Sequence, residues 1–181
     1  MTDDELARVV ALLADSHDAL ESLVAGLSEA DWHVRPGPDA WSPVEVLEHL
    51  AITERSVRTL VTERLPARRA VADDRRSAVR DDDVVRVTES RARRFASPEG
   101  VRPRGSAVAP ADLLAAIEAD RAAVVRYAND TTDDLRARTA PHPVAGVLDA
   151  YQWLLFLGAH TRRHVEQIAD IRRSGSIGID D

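Results

Sequence analysis

His160-Thr161-Arg162-Arg163-His164-Val165-Glu166-Gln167-Ile168 is the stretch from which the rest of the chain is read. It lies within an apolar-periodic segment over 147–173, in which Trp153, Phe156, His160, His164, Gln167 and Ile171 recur every three or four residues. That spacing predicts a helix with the two histidines one above the other on a buried face. Imidazoles so placed can bind one divalent metal through two nitrogens, but two ligands leave its shell incomplete. The best source of a third is His49, in the apolar stripe of an earlier helix.

That earlier helix has the sharpest start in the sequence, Trp41-Ser42-Pro43-Val44-Glu45-Val46. Ser42 is a good N-cap, Pro43 suits the first helical position, Glu45 completes a capping box, and Trp41 can staple onto Val46. The helix is expected to run to Leu65, before Pro66, with Val46, Leu50, Val57, Leu60 and Val61 as its buried side. Glu45, one turn before His49, has two readings: the capping role that already accounts for it, or a ligand, support or base at the metal. Gln167, one turn after His164, can orient a ligand or water but cannot titrate. Glu166 projects away from the histidine face.

Two further amphipathic helices are expected, over 3–26 and 110–129. The first is capped by Thr2 or Asp3 with Glu5, and His17 on its stripe reads as a partly buried histidine with a local hydrogen bond or as a wall residue of a pocket at the bundle centre. On the other, Asp120 and Arg121 would reach a pocket only if the phase allows. Asp81-Asp82-Asp83 opens a short extra helix to about Phe95; carboxylates favour a helix N-terminus, so this triplet is no metal site. The run 131–146 reads as a stiff connection, with His142 between Pro141 and Pro143 open to structural, exposed or site-rim roles. The final helix begins near Val147 and is stopped by Ser174 and Gly175, with a short tail beyond. Gly158 stands where close approach of another helix would need it.

With 181 residues, one domain over 1–181 is expected. Four amphipathic helices separated by connections, one of them long, predict an all-α fold, a single helical bundle, whose facing helices can build a metal site. Aromatic residues make up only 4%, which suits a core of Leu, Val, Ile and Ala. The absence of cysteine excludes disulfides, Cys-ligated zinc, Fe–S clusters and a protein thiol nucleophile. The formal charge of −7, with the arginines around 75–94 interleaved with acids, argues against nucleic acid as a partner. No apolar run approaches the roughly 20 residues of a membrane span and no signal peptide opens the chain, so a cytoplasmic location without membrane contact is expected. Zn(II) or Ni(II) would suit three imidazoles, with Fe(II) or Mn(II) chemically allowed. Thr161 stands where the zinc-protease motif carries its glutamate, so that motif's general base is absent from its usual place.

Trp41 to Leu50, His142-Pro143 before Gly146, and His160 to Ile168 together resemble the DinB-like family of small metalloproteins, within a wider group that includes YfiT-type hydrolases and mycothiol-dependent isomerases. The matching pieces extend from near the start of the chain to near its end. The resemblance implies an antiparallel four-helix bundle with His49, His160 and His164 as metal ligands, and a homodimer with no interface assigned. It implies activation of a low-molecular-weight thiol such as mycothiol for S-transfer to a small substrate, or metal-dependent hydrolysis of a small amide or ester; a non-catalytic metal-stabilised interaction or stress protein is the third reading.

Overall fold

The computed structural model describes residues 1–72, 76–92, 96–105 and 107–176. Four long helices, α1 (Asp3–Val24), α2 (Pro43–Thr59), α4 (Pro110–Asp130) and α5 (Ala150–Ser176), form the bundle, and a short α3 (Asp81–Glu89) packs on α5. Both capping boxes form: the Glu5 carboxylate accepts from the Thr2 N–H at 2.7 Å, and that of Glu45 from the Ser42 N–H at 2.8 Å. The chain continues from α2 through a wide π-helical turn, Leu60–Arg64, to Leu65, where the sequence places the end of the helix.

The packing gives the helix directions. Leu12 lies against Gly158, Asp15 pairs with Arg162 and Gly26 approaches Arg172, so α1 and α5 run the same way. One apolar cluster joins Val46, Leu47 and Leu50 to Leu113, Ile117, Ile168 and Ile171. The other joins Val57, Val61 and Leu65 to Val124, Ala128, Leu154 and Leu157. Thus α2 and α4 are parallel to each other and opposed to α1 and α5. The expected antiparallel bundle is realised as two opposed pairs. Parallel neighbours cannot be joined by a tight turn, and the long connection 66–109 returns the chain along the bundle.

Three boundaries differ from the sequence expectation. The connection 131–146 ends in a small antiparallel hairpin of β1 (Thr139–His142) and β2 (Gly146–Asp149), with Ala140 opposite Leu148. Gly146 takes a φ of +85°, the left-handed conformation that turns the chain back. The last helix therefore starts at Ala150, not Val147: Val147 to Asp149 are held in the strand, and the Asp149 carboxylate accepts from the Gln152 N–H at 2.8 Å. Ser90 adopts extended backbone and ends α3 at Glu89, short of Phe95, which lies outside the described residues. Ser174 and Gly175 do not stop α5, because an isolated glycine costs a helix only about 1 kcal/mol; the expected tail, 177–181, lies outside the described residues.

Arg136 ties the hairpin end of the bundle together. Its guanidinium donates to Glu5 at 2.5 Å, Asp81 at 2.7 Å and Asp149 at 3.0 Å, and lies over the Tyr151 ring at 4.1 Å. The carboxylate side chain of Asp149 is only 4% exposed. Removing the cation strands that buried charge, so Arg136→Met is expected to cost about 2–4 kcal/mol, read as a lower urea midpoint. Among the described residues no helix is long and apolar enough to cross a membrane.

Candidate metal centre

Between the two apolar clusters lies a band of buried polar groups that includes His49 and His164, with the half-buried His160 beside them. His49 stands on α2 two turns from a doubly satisfied N-terminus; His160 and His164 are stacked on α5. The Nε2 atom of His160 lies 3.2 Å from that of His49 and 3.1 Å from that of His164. Among the described residues, these three form the group with metal-ligand spacing.

The tautomers follow from the outer partners. A carbonyl oxygen can only accept, so His49 Nδ1–H donates to Val101 O, at 2.6 Å, and leaves its Nε2 lone pair facing inward. His164 Nδ1–H donates to Gln167 Oε1 at 2.9 Å, with the same consequence. A proton on His160 Nε2 could bond to one of these lone pairs but not to both. At least one pair of ring nitrogens therefore meets at hydrogen-bond distance with no proton between. A cation in their midst removes that repulsion. Metal–nitrogen bonds of about 2.0–2.1 Å at tetrahedral angles would set the nitrogens about 3.3–3.4 Å apart, close to the 3.2 and 3.1 Å from His160 to its two neighbours, with all three ligand atoms within 4.8 Å of one another. The donor set fits a divalent ion.

Burial reinforces neutrality. It lowers the basicity of His49, an effect partly offset by the Val101 carbonyl, and takes His164 down to about 3, with the nearby His49 adding to the effect. His160 is also pushed well below the ordinary histidine range by burial. The metal-free protein should therefore lose stability on acidification. Above about pH 6.5 neither the folded nor the unfolded chain protonates these rings; below it the unfolded chain takes up protons that the buried rings of the folded chain resist, His164 until about pH 3. The urea midpoint of chelator-treated protein is expected to fall from pH 7.5 to pH 5, and to fall less steeply in His164→Leu.

Gln167, one turn after His164, bonds to the His164 ring. Glu45 is outside the histidine group: one oxygen accepts from the Ser42 N–H and hydroxyl, and the other from Arg35 Nη2 at 2.6 Å. Glu166 is exposed. Trp41 packs over His49 with ring centroids 4.9 Å apart. His142 is held structurally: Nδ1 accepts from the N–H groups of Val144 and Ala145, and the ring packs on Trp153 and Phe156. Its burial lowers its pKa to about 4. Phe156 in turn contacts His160, so the aromatic face of α5 is continuous with the histidines. His17 is half-buried and faces Glu21 at 3.3 Å. The three aspartates of α3 pair with Arg136, Arg8 and Arg86.

Two supports were not visible in the sequence. The Val101 carbonyl comes from a one-turn helix, Glu99–Val101, in a stretch without periodicity. Glu54 and Thr161 join Arg121 in a buried network. Their signal was available: each of the three is a polar residue within an apolar helical stripe.

The model of the DinB superfamily matches residues 12–168, a span that contains all three histidines. The chain belongs to the DinB superfamily. Its relatives include YuaE of Bacillus subtilis (strain 168), itself uncharacterised, to which this superfamily member is 23% identical over 147 residues, 81% of this chain and 86% of that one. The solved structure of YfiT from Bacillus subtilis, described as a probable metal-dependent hydrolase with an unusual four-helix bundle topology, aligns with 97% of this chain and 90% of its own at a TM-score of 0.60 and 17% identity. That likeness shows a shared fold; the opposed pairs of parallel helices are how this DinB chain builds it.

Proposed function

We propose that this protein is a metal-dependent enzyme in which His49, His160 and His164 hold one divalent ion, Zn(II) or Ni(II), and a small thiol co-substrate is activated for S-transfer. The observation that carries the reading is the convergence of three Nε2 atoms, two of them, on His49 and His164, turned inward as lone pairs by Val101 and Gln167. A bound divalent cation would supply Lewis acidity, favouring thiolate over thiol or polarising a substrate oxygen. Three neutral imidazoles leave its double positive charge undiminished. Gln167 keeps the His164 lone pair inward, and Glu45 holds the start of α2 and so the place of His49.

Three imidazoles on Zn(II) can bring the pKa of bound water to about 7, but a thiol needs the smaller shift. A free thiol ionises near 8.5 and needs a shift of only about 1.5 units to be thiolate at pH 7, whereas water starts from 15.7 and needs about 9. The histidine group contains no carboxylate to take up a proton, and both oxygens of Glu45 are engaged. Hydrolysis of a small amide or ester is the second reading, favoured by the description of the YfiT structure.

The test is a titration of Co(II)-loaded protein with mycothiol or bacillithiol, followed by the near-ultraviolet thiolate-to-metal absorption and by conjugation of an electrophile. Saturable binding with metal-dependent conjugation is expected. Absence of thiol binding overturns the S-transfer reading. Metal-dependent ester or amide cleavage without thiol would replace it with hydrolysis, and metal-dependent melting without turnover would replace it with a non-catalytic role.

A further inference from the structure

Beside the three histidines, the polar band contains a salt bridge that reaches every long helix. Arg121 and Glu54 are 5% and 2% exposed, and Arg121 donates to Glu54 Oε1 from Nε at 3.0 Å and from Nη2 at 2.7 Å. Nη2 also donates to Thr161 Oγ1 at 2.6 Å; Nη1 donates to Leu13 O at 2.9 Å and Ser16 Oγ at 3.2 Å. Thr161 Oγ1 lies 3.3 Å from the same Glu54 oxygen. The partners thus come from α1, α2, α4 and α5.

We infer that the Glu54–Arg121–Thr161 network is a positioning device for the histidine site: it fixes the axial setting of α5 against α2, and with it the gap between His49 and the pair His160–His164. The inference rests on the metal-centre reading above. Thr161 directly follows His160, and Glu54 lies on the same helix as His49, little more than a turn further on. Any slip of one helix along the other moves the imidazoles apart by the same amount. A metal site tolerates about 0.2 Å in its bond lengths and a functional constellation about 0.5 Å, while one residue of helix rise is about 1.5 Å. Apolar contacts are non-directional and leave such a slip only weakly opposed. A guanidinium fork fixed on both Glu54 and Thr161 opposes it directly, because its hydrogen-bond geometry is narrow. Stability alone does not call for the pair, since buried ion pairs replaced by apolar groups of like volume commonly leave a fold as stable or more so.

The inference separates metal affinity from fold stability, and that separation is the test. Metal-free wild type, the double variant Glu54→Leu/Arg121→Met and the single variant Thr161→Val are titrated with Co(II), reading the dissociation constant and the visible d–d bands, which report coordination geometry. Urea midpoints are measured without metal. The double variant is expected to keep or raise its midpoint, to bind Co(II) about 10–100-fold more weakly, and to show displaced bands; Thr161→Val moves affinity and spectrum in the same direction, by about 10-fold. Variants that bind with wild-type affinity and wild-type bands overturn the inference, whatever their stability, and leave the network as packing only. Should the double variant not fold, Thr161→Val decides by the same two readings. Failure of wild type itself to bind Co(II) overturns the metal-centre reading instead, and this inference with it.

Discussion

Replacing His49 and His160 together by alanine is expected to abolish stoichiometric metal binding, from about one Zn(II) per chain in wild type to less than about a tenth, while the far-ultraviolet circular dichroism of the helices is unchanged. A single remaining imidazole has no chelate partner, and a Zn(II) site in a protein takes three or four ligands. The fold does not depend on these rings in the same way. The bundle is built from two apolar clusters, and neither includes His49, His160 or His164. Metal that binds only the folded chain stabilises it by about 4 kcal/mol when present at 1,000 times its dissociation constant. The urea midpoint of wild type should therefore rise with Zn(II), and that of the double variant should not. A variant that retained a full equivalent of metal would remove His49 and His160 from the site.

How much of this was legible before any coordinates differs by element, for physical reasons. The starts of α1 and α2 were readable because each is set by four or five adjacent residues, and both boxes are found closed. The convergence of His49 with His160 and His164 was suggested by phase: each lies on a stripe whose other members are mostly apolar, which turns the three toward the bundle interior. The hairpin was missed because Thr139 to Asp149 offers too few alternating positions to reveal a strand, and its turn relies on Gly146 and on His142 bonding to two N–H groups. The direction of the helices was hidden as well. Nothing local distinguishes a parallel from an opposed neighbour; that depends on the route of the long connection. The Glu54–Arg121 pair shows the limit from another side. Each residue breaks an apolar stripe, but only the packing of α2 against α4 makes the two interruptions coincide.

Gly158→Ala is expected to destabilise the protein by about 1–2 kcal/mol, although alanine is the better helix former. Within α5 the exchange should bring about 0.8–1.0 kcal/mol from intrinsic propensity. Against this, a Cβ at position 158 would stand 2.6 Å from Leu12 Cγ, 3.1 Å from Leu12 Cδ2 and 3.1 Å from the Leu12 carbonyl oxygen. Leu12 is itself part of the core, and its carbonyl is α1 backbone, so relief requires the whole of α1 to retreat from α5. Overpacking of this kind costs about 1–3 kcal/mol before lost contacts along the rest of the interface are counted, and that exceeds the propensity gain. Gly26→Ala provides the contrast. Its Cβ would meet the guanidinium end of Arg172 at 3.1 Å, a group that can swing aside, so a change within about 0.5 kcal/mol is expected. Urea midpoints measured on metal-free protein read both variants on one scale. A Gly158→Ala midpoint at or above that of wild type would mean that α1 and α5 do not approach as closely as Leu12 and Gly158 require.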